Sequence, residues 1–219
     1  MSDMHEADIE ALALERLQAQ GYAYCNGADM APEGAPALRS SPGEVVLEPL
    51  LRAAVDRLNP SMPQSAREEA VRIVLRLSSP DLVTANEAFH DMLTRGVPVS
   101  YQKDGTERGD LVRLVDFERP EDNHFLAVNQ FSVTESNVTK RPDIVLFVNG
   151  LPLVVVELKN AADENATIFT AWRQLQTYKQ AIPSLLTYNA LLVGHSVNSH
   201  INKESIRISL WRSPNAKKT

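Results

Sequence analysis

Residues 141–160 read RPDIVLFVNGLPLVVVELKN. Two apolar runs, 144–148 and 151–156, flank Asn149-Gly150, a strong hairpin signal in such a setting. The same stretch carries Asp143, Glu157 and Lys159, although charges are seldom buried without partners because leaving water is costly. Loop length decides which of them meet. A two-residue loop pairs Val148 with Leu151, sets Asp143 against Val156, and turns Glu157 to the other side. A three-residue loop with Gly150 in the left-handed region pairs Val148 with Pro152 and puts Asp143 opposite Glu157, roughly 5 Å apart at Cβ. Strand alternation then places Lys159 on the face of Glu157. A loop of odd length, or a bulge, gathers two carboxylates and an ammonium into one cluster.

Two carboxylates that close repel each other unless a positive charge sits between them. A hard cation such as Mg2+ suits oxygen ligands of this kind and keeps several waters. A metal-bound water of lowered pKa is a nucleophile able to attack a phosphodiester. A neighbouring lysine can orient that water, help deprotonate it, or neutralise charge on the phosphate. The cluster therefore suits metal-assisted phosphodiester hydrolysis. The alternative is a buried ion pair between Lys159 and either acid.

The rest of the chain bounds this reading. Its 219 residues suffice for one good-sized domain or a domain with a helical annex. Hydrophobic residues at 43% and charged residues at 23% are ordinary for a globular protein. The longest apolar run, 151–156, is far short of the ~18 residues of a membrane helix. The acidic start, MSDMHEADIE, lacks the features of a signal peptide. A single cysteine, Cys25, excludes an internal disulfide framework or a cysteine-rich zinc site. These features predict a cytoplasmic protein with no membrane contact. The net charge of −6 is unevenly spread: from Val138 onward ten basic residues face five acidic ones, a local excess of +5 in the half that carries the cluster.

Apolar spacing predicts a helix over 8–20, stopped by Gly21, and a Gly/Pro/Ala/Ser-rich loop over 27–43. Helices are predicted over 44–58, 65–77 and 81–95, the last capped by Asp81 and stopped by Gly96. Beyond Gly96 the period shortens, and strands are expected at 97–102, 110–117, 124–133, along both arms of the hairpin, and at 190–194. A helix over 164–182 crosses between the last two strands, with Pro183 after it. Helices first, then a mixed sheet crossed by a late helix, make an α/β or α+β domain. The five histidines show no ligand spacing, and no G-x-S-x-G elbow is present. Trp172 and Trp211 are read as core residues rather than base-stacking ones.

The hairpin resembles the nuclease core of the type I restriction enzyme endonuclease (R) subunit, a branch of the PD-(D/E)xK nucleases. The resemblance rests on Pro142-Asp143, the spacing to Glu157-Leu158-Lys159, and the NGLP turn between them. It extends upstream through VDFERPEDNHFLAVNQFSV (115–133) and downstream through QLQTYK (174–179), which fits a Q-x-x-x-Y motif at Gln174 and Tyr178. IEALALERLQAQGY is similar to the family's opening helix, with Glu10 at the position of a recurrent glutamate. The resemblance implies a restriction-endonuclease-like core, a central mixed β-sheet flanked by helices, with an N-terminal helical annex. Residues 1–194 would form one nuclease domain, the annex spanning about 44–95 and the catalytic sheet about 97–194. Residues 195–219 match less well and are read as a divergent tail.

Carried over residue by residue, the resemblance implies that Asp143 and Glu157 bind Mg2+ and that Lys159 is the catalytic lysine. Glu10 is a further candidate metal ligand, weighed against a solvated helix glutamate. Gln174 and Tyr178 would contact DNA or support the site, weighed against a Tyr simply packed under the sheet. Lys140, Arg141, Arg173 and Lys179 are candidate phosphate contacts. Complete R subunits of this kind continue into ATP-driven motor domains, but no G-x-x-x-x-G-K-[ST] occurs here. The chain is thus expected to be a fragment or truncated product without ATPase or translocase activity. The expected function is Mg2+-dependent, non-specific cleavage of double-stranded DNA, in the class of type I site-specific deoxyribonucleases. Specificity and methyltransferase subunits would choose the target. The competing reading is a non-catalytic assembly or DNA-binding module of the same complex.

Overall fold

The computed structural model describes residues 6–30, 37–159 and 168–196. The hairpin supplies two of the three inner strands of a five-stranded sheet: β7 (Ile144–Val148) pairs antiparallel with β8 (Leu151–Lys159). β4 (Phe125–Asn129) lies antiparallel to β7, with β1 (Ala23–Asn26) parallel to it at one edge. β9 (Leu191–Ser196) lies parallel to β8 at the other edge. The order is β1-β4-β7-β8-β9, the mixed sheet that the sequence predicted.

Alternation along the strands sorts the core into two faces. Ile144 and Leu146 meet Ile9 and Leu14 of α1 (Glu6–Ala19), together with Ala127 and Leu158. Val145, Phe147 and Val155 point the other way, into the larger core. Leu175 and Tyr178 of α5 (Ile168–Ala181) and Leu51 and Val55 of α2 (Glu48–Leu58) close that side. Each such side chain, fully buried, contributes about 1.5–3 kcal/mol, so both strand faces favour one register strongly.

The turn itself is held from the annex. Asn149 and Gly150 both have positive φ, 52° and 81°, the geometry for which Asn-Gly is suited. Asn149 is fully buried; its amide donates to the Leu114 carbonyl at 2.9 Å, and its Oδ1 accepts the His124 N–H at 2.8 Å. The Leu47 N–H donates to the Gly150 carbonyl at 2.9 Å. A Cβ on Gly150 would sit 2.5 Å from the Leu47 carbonyl oxygen, so the chain there must be glycine. The remaining annex helices are α3 (Gln64–Leu75) and α4 (Leu82–Arg95), the latter capped by Asp81, whose carboxylate accepts the Thr84 N–H at 2.8 Å.

Several predicted elements shift. The strand expected over 110–117 is β3 (Thr106–Val112), paired with β2 (Val97–Lys103) through a tight Asp104-Gly105 turn. Residues 106–109, left between the two expected strands, therefore extend the ladder. The strand expected over 124–133 breaks at Gln130, whose φ of 54° cannot continue a strand. Val133 then opens a separate ribbon, β5 (Val133–Glu135) with β6 (Val138–Lys140), turned by Ser136-Asn137. Pro183 does not merely stop α5 but opens a short helix, α6 (Pro183–Thr187), where its missing N–H costs nothing. β1 was not predicted, because it falls before the Gly/Pro-rich stretch and is only four residues long.

Candidate active site

Asp143 and Glu157 meet through a bulge, not a longer turn. Val148 pairs with Leu151 and Phe147 with Pro152, as a two-residue loop requires. Leu146 then pairs with Val154, so Leu153 is an extra residue and the register beyond it shifts by one. Ile144 lies opposite Val156, which makes Asp143 and Glu157 the next facing positions outward. Lys159 follows on the same face, towards α5.

The side chains there are engaged with one another. Glu157 is 3% exposed, and its Oε1 accepts from the Lys159 ammonium at 2.6 Å. Its Oε2 accepts from the Tyr178 hydroxyl at 2.8 Å, while the Gln174 amide donates to that hydroxyl oxygen at 3.2 Å. Gln174 and Tyr178 lie one helical turn apart on α5, so both reach the same strand end. Burial, and then the negative charge of Glu157, push the Tyr178 phenol well above its ordinary range, so it remains a donor. Asp143 is half-buried, and its Oδ2 accepts the Leu158 N–H at 2.6 Å. The ion pair weighed in the sequence is thus present, between Lys159 and Glu157. The packed tyrosine is present too, and it also bonds to the acid.

Two hard oxygen donors side by side, with an ammonium and a phenol to balance one of them, suit a divalent cation that retains water. Among the described residues no three His, Cys, Asp or Glu side chains converge, so Glu10 does not join Asp143 and Glu157 in one cluster. Glu10 instead sits at the end of β4. Its Oε1 accepts from the Asn129 amide at 2.6 Å and its Oε2 from the Gln130 amide at 2.8 Å. The Tyr24 hydroxyl donates to Asn129 Oδ1 at 3.1 Å. Asn129 and Gln130 were quoted only as part of a motif, without a role. With the strand expected to run on to 133, nothing in the sequence singled out a strand end at these two residues.

The four candidate phosphate contacts differ. Arg141 is exposed two residues before Asp143, and Lys140 is half-buried at the end of β6. The Arg173 guanidinium lies 4.4 Å from the centre of the Phe169 ring, and burial lowers the pKa of the Lys179 ammonium. Trp172 is not a core residue: it is 48% exposed and stacks on Phe169, with ring centres 5.9 Å apart. Its helical position put it beside, rather than beneath, the strip of α5 that holds Ala171, Leu175 and Tyr178. Trp211 lies outside the described residues, as does most of the tail. No described helix is long and apolar enough to cross a membrane.

The family model described as Type I restriction enzyme R protein N terminus matches residues 3–207. The chain is 40% identical over 214 residues to the type I restriction enzyme HindI endonuclease subunit of Haemophilus influenzae, covering 95% of this chain and 20% of that protein. It is 31% identical over 188 residues to a Methanocaldococcus jannaschii protein provisionally named type I restriction enzyme MjaIXP endonuclease subunit, covering 84% of this chain and 18% of the relative. The chain therefore spans about a fifth of the length of these relatives. With a family match that runs through both strands of the hairpin and α5, the chain belongs to the type I restriction enzyme R protein N-terminal family.

Proposed function

We propose that this chain is a Mg2+-dependent DNA endonuclease domain of the PD-(D/E)xK type. It would cut double-stranded DNA without sequence preference, at targets set by specificity and methyltransferase subunits. The observation that carries the reading is the bulge at Leu153, which sets Asp143 opposite Glu157 with Lys159 on the same face. Its membership of the R protein N-terminal family, and relatives named endonuclease subunits, support the same chemistry.

In this reading Asp143 and Glu157 hold the cation, which when bound supplies a water of lowered pKa and a positive charge for the phosphate. Tyr178 donates to one oxygen of Glu157 and keeps the carboxylate from rotating. Gln174 fixes Tyr178 in turn. Lys159 gives the second oxygen of Glu157 a partner and carries its ammonium to the strand end, where it can neutralise charge on the phosphate. Arg141 and Lys140, just before Asp143, are placed to contact the DNA backbone. This reading calls for no ATP in the chain's own step.

The test is supercoiled plasmid nicking by the purified chain at high concentration, with Mg2+ or EDTA. The wild type should nick only with the cation, and Asp143→Ala and Lys159→Ala should each lose activity with near-native circular dichroism. Unchanged nicking by either variant rejects its assignment. The closed Lys159–Glu157 ion pair also fits a non-catalytic assembly module, which should show no calorimetric cation affinity sensitive to Glu157→Ala.

A further inference from the structure

The polar residues at the end of β4 form a chain of contacts that leads to the backbone of Asp143. Asn129 is the last residue of β4 and lies opposite Ile144. One residue on, the Gln130 N–H donates to the Asp143 carbonyl at 3.0 Å, although Gln130 itself has turned into the left-handed region. Asp143 is thereby tied from both neighbouring strands: its carbonyl to Gln130 and its carboxylate to the Leu158 N–H. Gln130 is tied in its turn, its amide and that of Asn129 donating to the two oxygens of Glu10.

The surroundings are built around this arrangement. A positive φ is unfavourable for glutamine and is kept where neighbours over-determine it, a pattern that clusters at functional sites. Gly27 makes room for it: a Cβ there would sit 2.5 Å from the Gln130 carbonyl oxygen. Tyr24 fixes the Asn129 amide so that its N–H2 faces Glu10. Asn129 is buried, and alternation places its side chain on the α1 face of the sheet, opposite to that of Glu157.

We propose that Gln130 is a positioning residue for Asp143, and that Glu10 acts through Gln130 as its anchor rather than as a metal ligand. This rests on the nuclease reading of Asp143 and Glu157. The strand end would otherwise fray at residues 142–143, where the metal-facing carboxylate must hold its place relative to Glu157. The two amides give Glu10 a donor at each oxygen and hold it at the turn, where it forms no three-acid cluster with Asp143 and Glu157 among the described residues.

A double-mutant cycle on Mn2+ affinity, measured by calorimetry on the full chain, tests the proposal. Gln130→Gly is the informative variant, since glycine accepts the left-handed backbone and removes only the side chain. Both Glu10→Gln and Gln130→Gly should weaken Mn2+ binding by about ten-fold, as is usual when support for a ligand is lost. Combining them should cost no more than either alone. Full additivity would overturn the proposal, because a glutamate that ligates the metal acts without Gln130. Unchanged affinity in Gln130→Gly would also overturn it, even if the melting temperature fell. Asn129→Ala offers a second route to the same loss of anchoring should Gln130→Gly fold poorly. The nuclease reading fails separately: in that case the wild type binds no Mn2+, or binds it equally well after Asp143→Ala.

Discussion

Tyr178 shows how a single residue can belong to the core and to the site at once. Its ring is buried against the sheet while its hydroxyl reaches Glu157 at 2.8 Å. Tyr178→Phe keeps the packing and removes only that donor. The buried Glu157 then loses the hydrogen bond from that hydroxyl, which should destabilise the fold by about 1–3 kcal/mol in urea unfolding. Nicking should fall about ten-fold or more, since a ligand's orienting partner is lost. An unaltered rate in Tyr178→Phe would reduce the Q-x-x-x-Y pair to a packing feature. Packing and site support were not separable from the sequence, because a helix position specifies a face but not what a hydroxyl touches there.

At the scale of the element, the bulge decides where the acids lie. Asp143, Glu157 and Lys159 could be picked out from charge within apolar strands, and their convergence followed only on condition of an odd loop or a bulge. Which device restored that parity was not legible: a three-residue turn and a bulge shift the register by the same single residue. The close fit between Gly150 and Leu47 favours the short turn, and that contact joins residues about a hundred positions apart. Deleting Leu153 removes the extra residue but leaves Val154 opposite Leu146, so Asp143 and Glu157 should still face each other. The deletion variant should therefore retain calorimetric Mn2+ binding. Loss of binding in a folded deletion variant would contradict the register described here. The same limitation explains β5 and β6, since only the turn at Gln130 separates them from β4, and a lone left-handed glutamine has no sequence signature.

For the whole molecule, the two most deeply buried phenols set the alkaline limit. Burial pushes the Tyr188 hydroxyl up to about 12, where it donates to the Val74 carbonyl at 2.9 Å, and Tyr178 is raised as well. Both are raised in the fold, so between pH ~10, the ordinary tyrosine value, and about 12 the folded state holds more protons than the unfolded one. Stability should accordingly fall as pH rises through that window, by about 1.4 kcal/mol per pH unit for each phenol. Urea unfolding at pH 8 and pH 11 measures it, and Tyr188→Phe should flatten the decline. Fold class was legible at this scale because the period of the apolar pattern changes at Gly96, from helical to alternating. How the early helices meet the late sheet was not, because contacts such as that of Tyr188 with Val74 link distant parts of the chain.

The Asn86 amide of α4 donates to the carbonyls of Leu186, Thr187 and Asn189, at 3.2, 3.0 and 2.8 Å. One side chain from the early helices thus fastens the loop that delivers the final sheet strand. Together with Leu47 over the hairpin, it makes the helical segment a keystone rather than a cassette: grafted elsewhere or trimmed away, it would take the edge of the sheet with it.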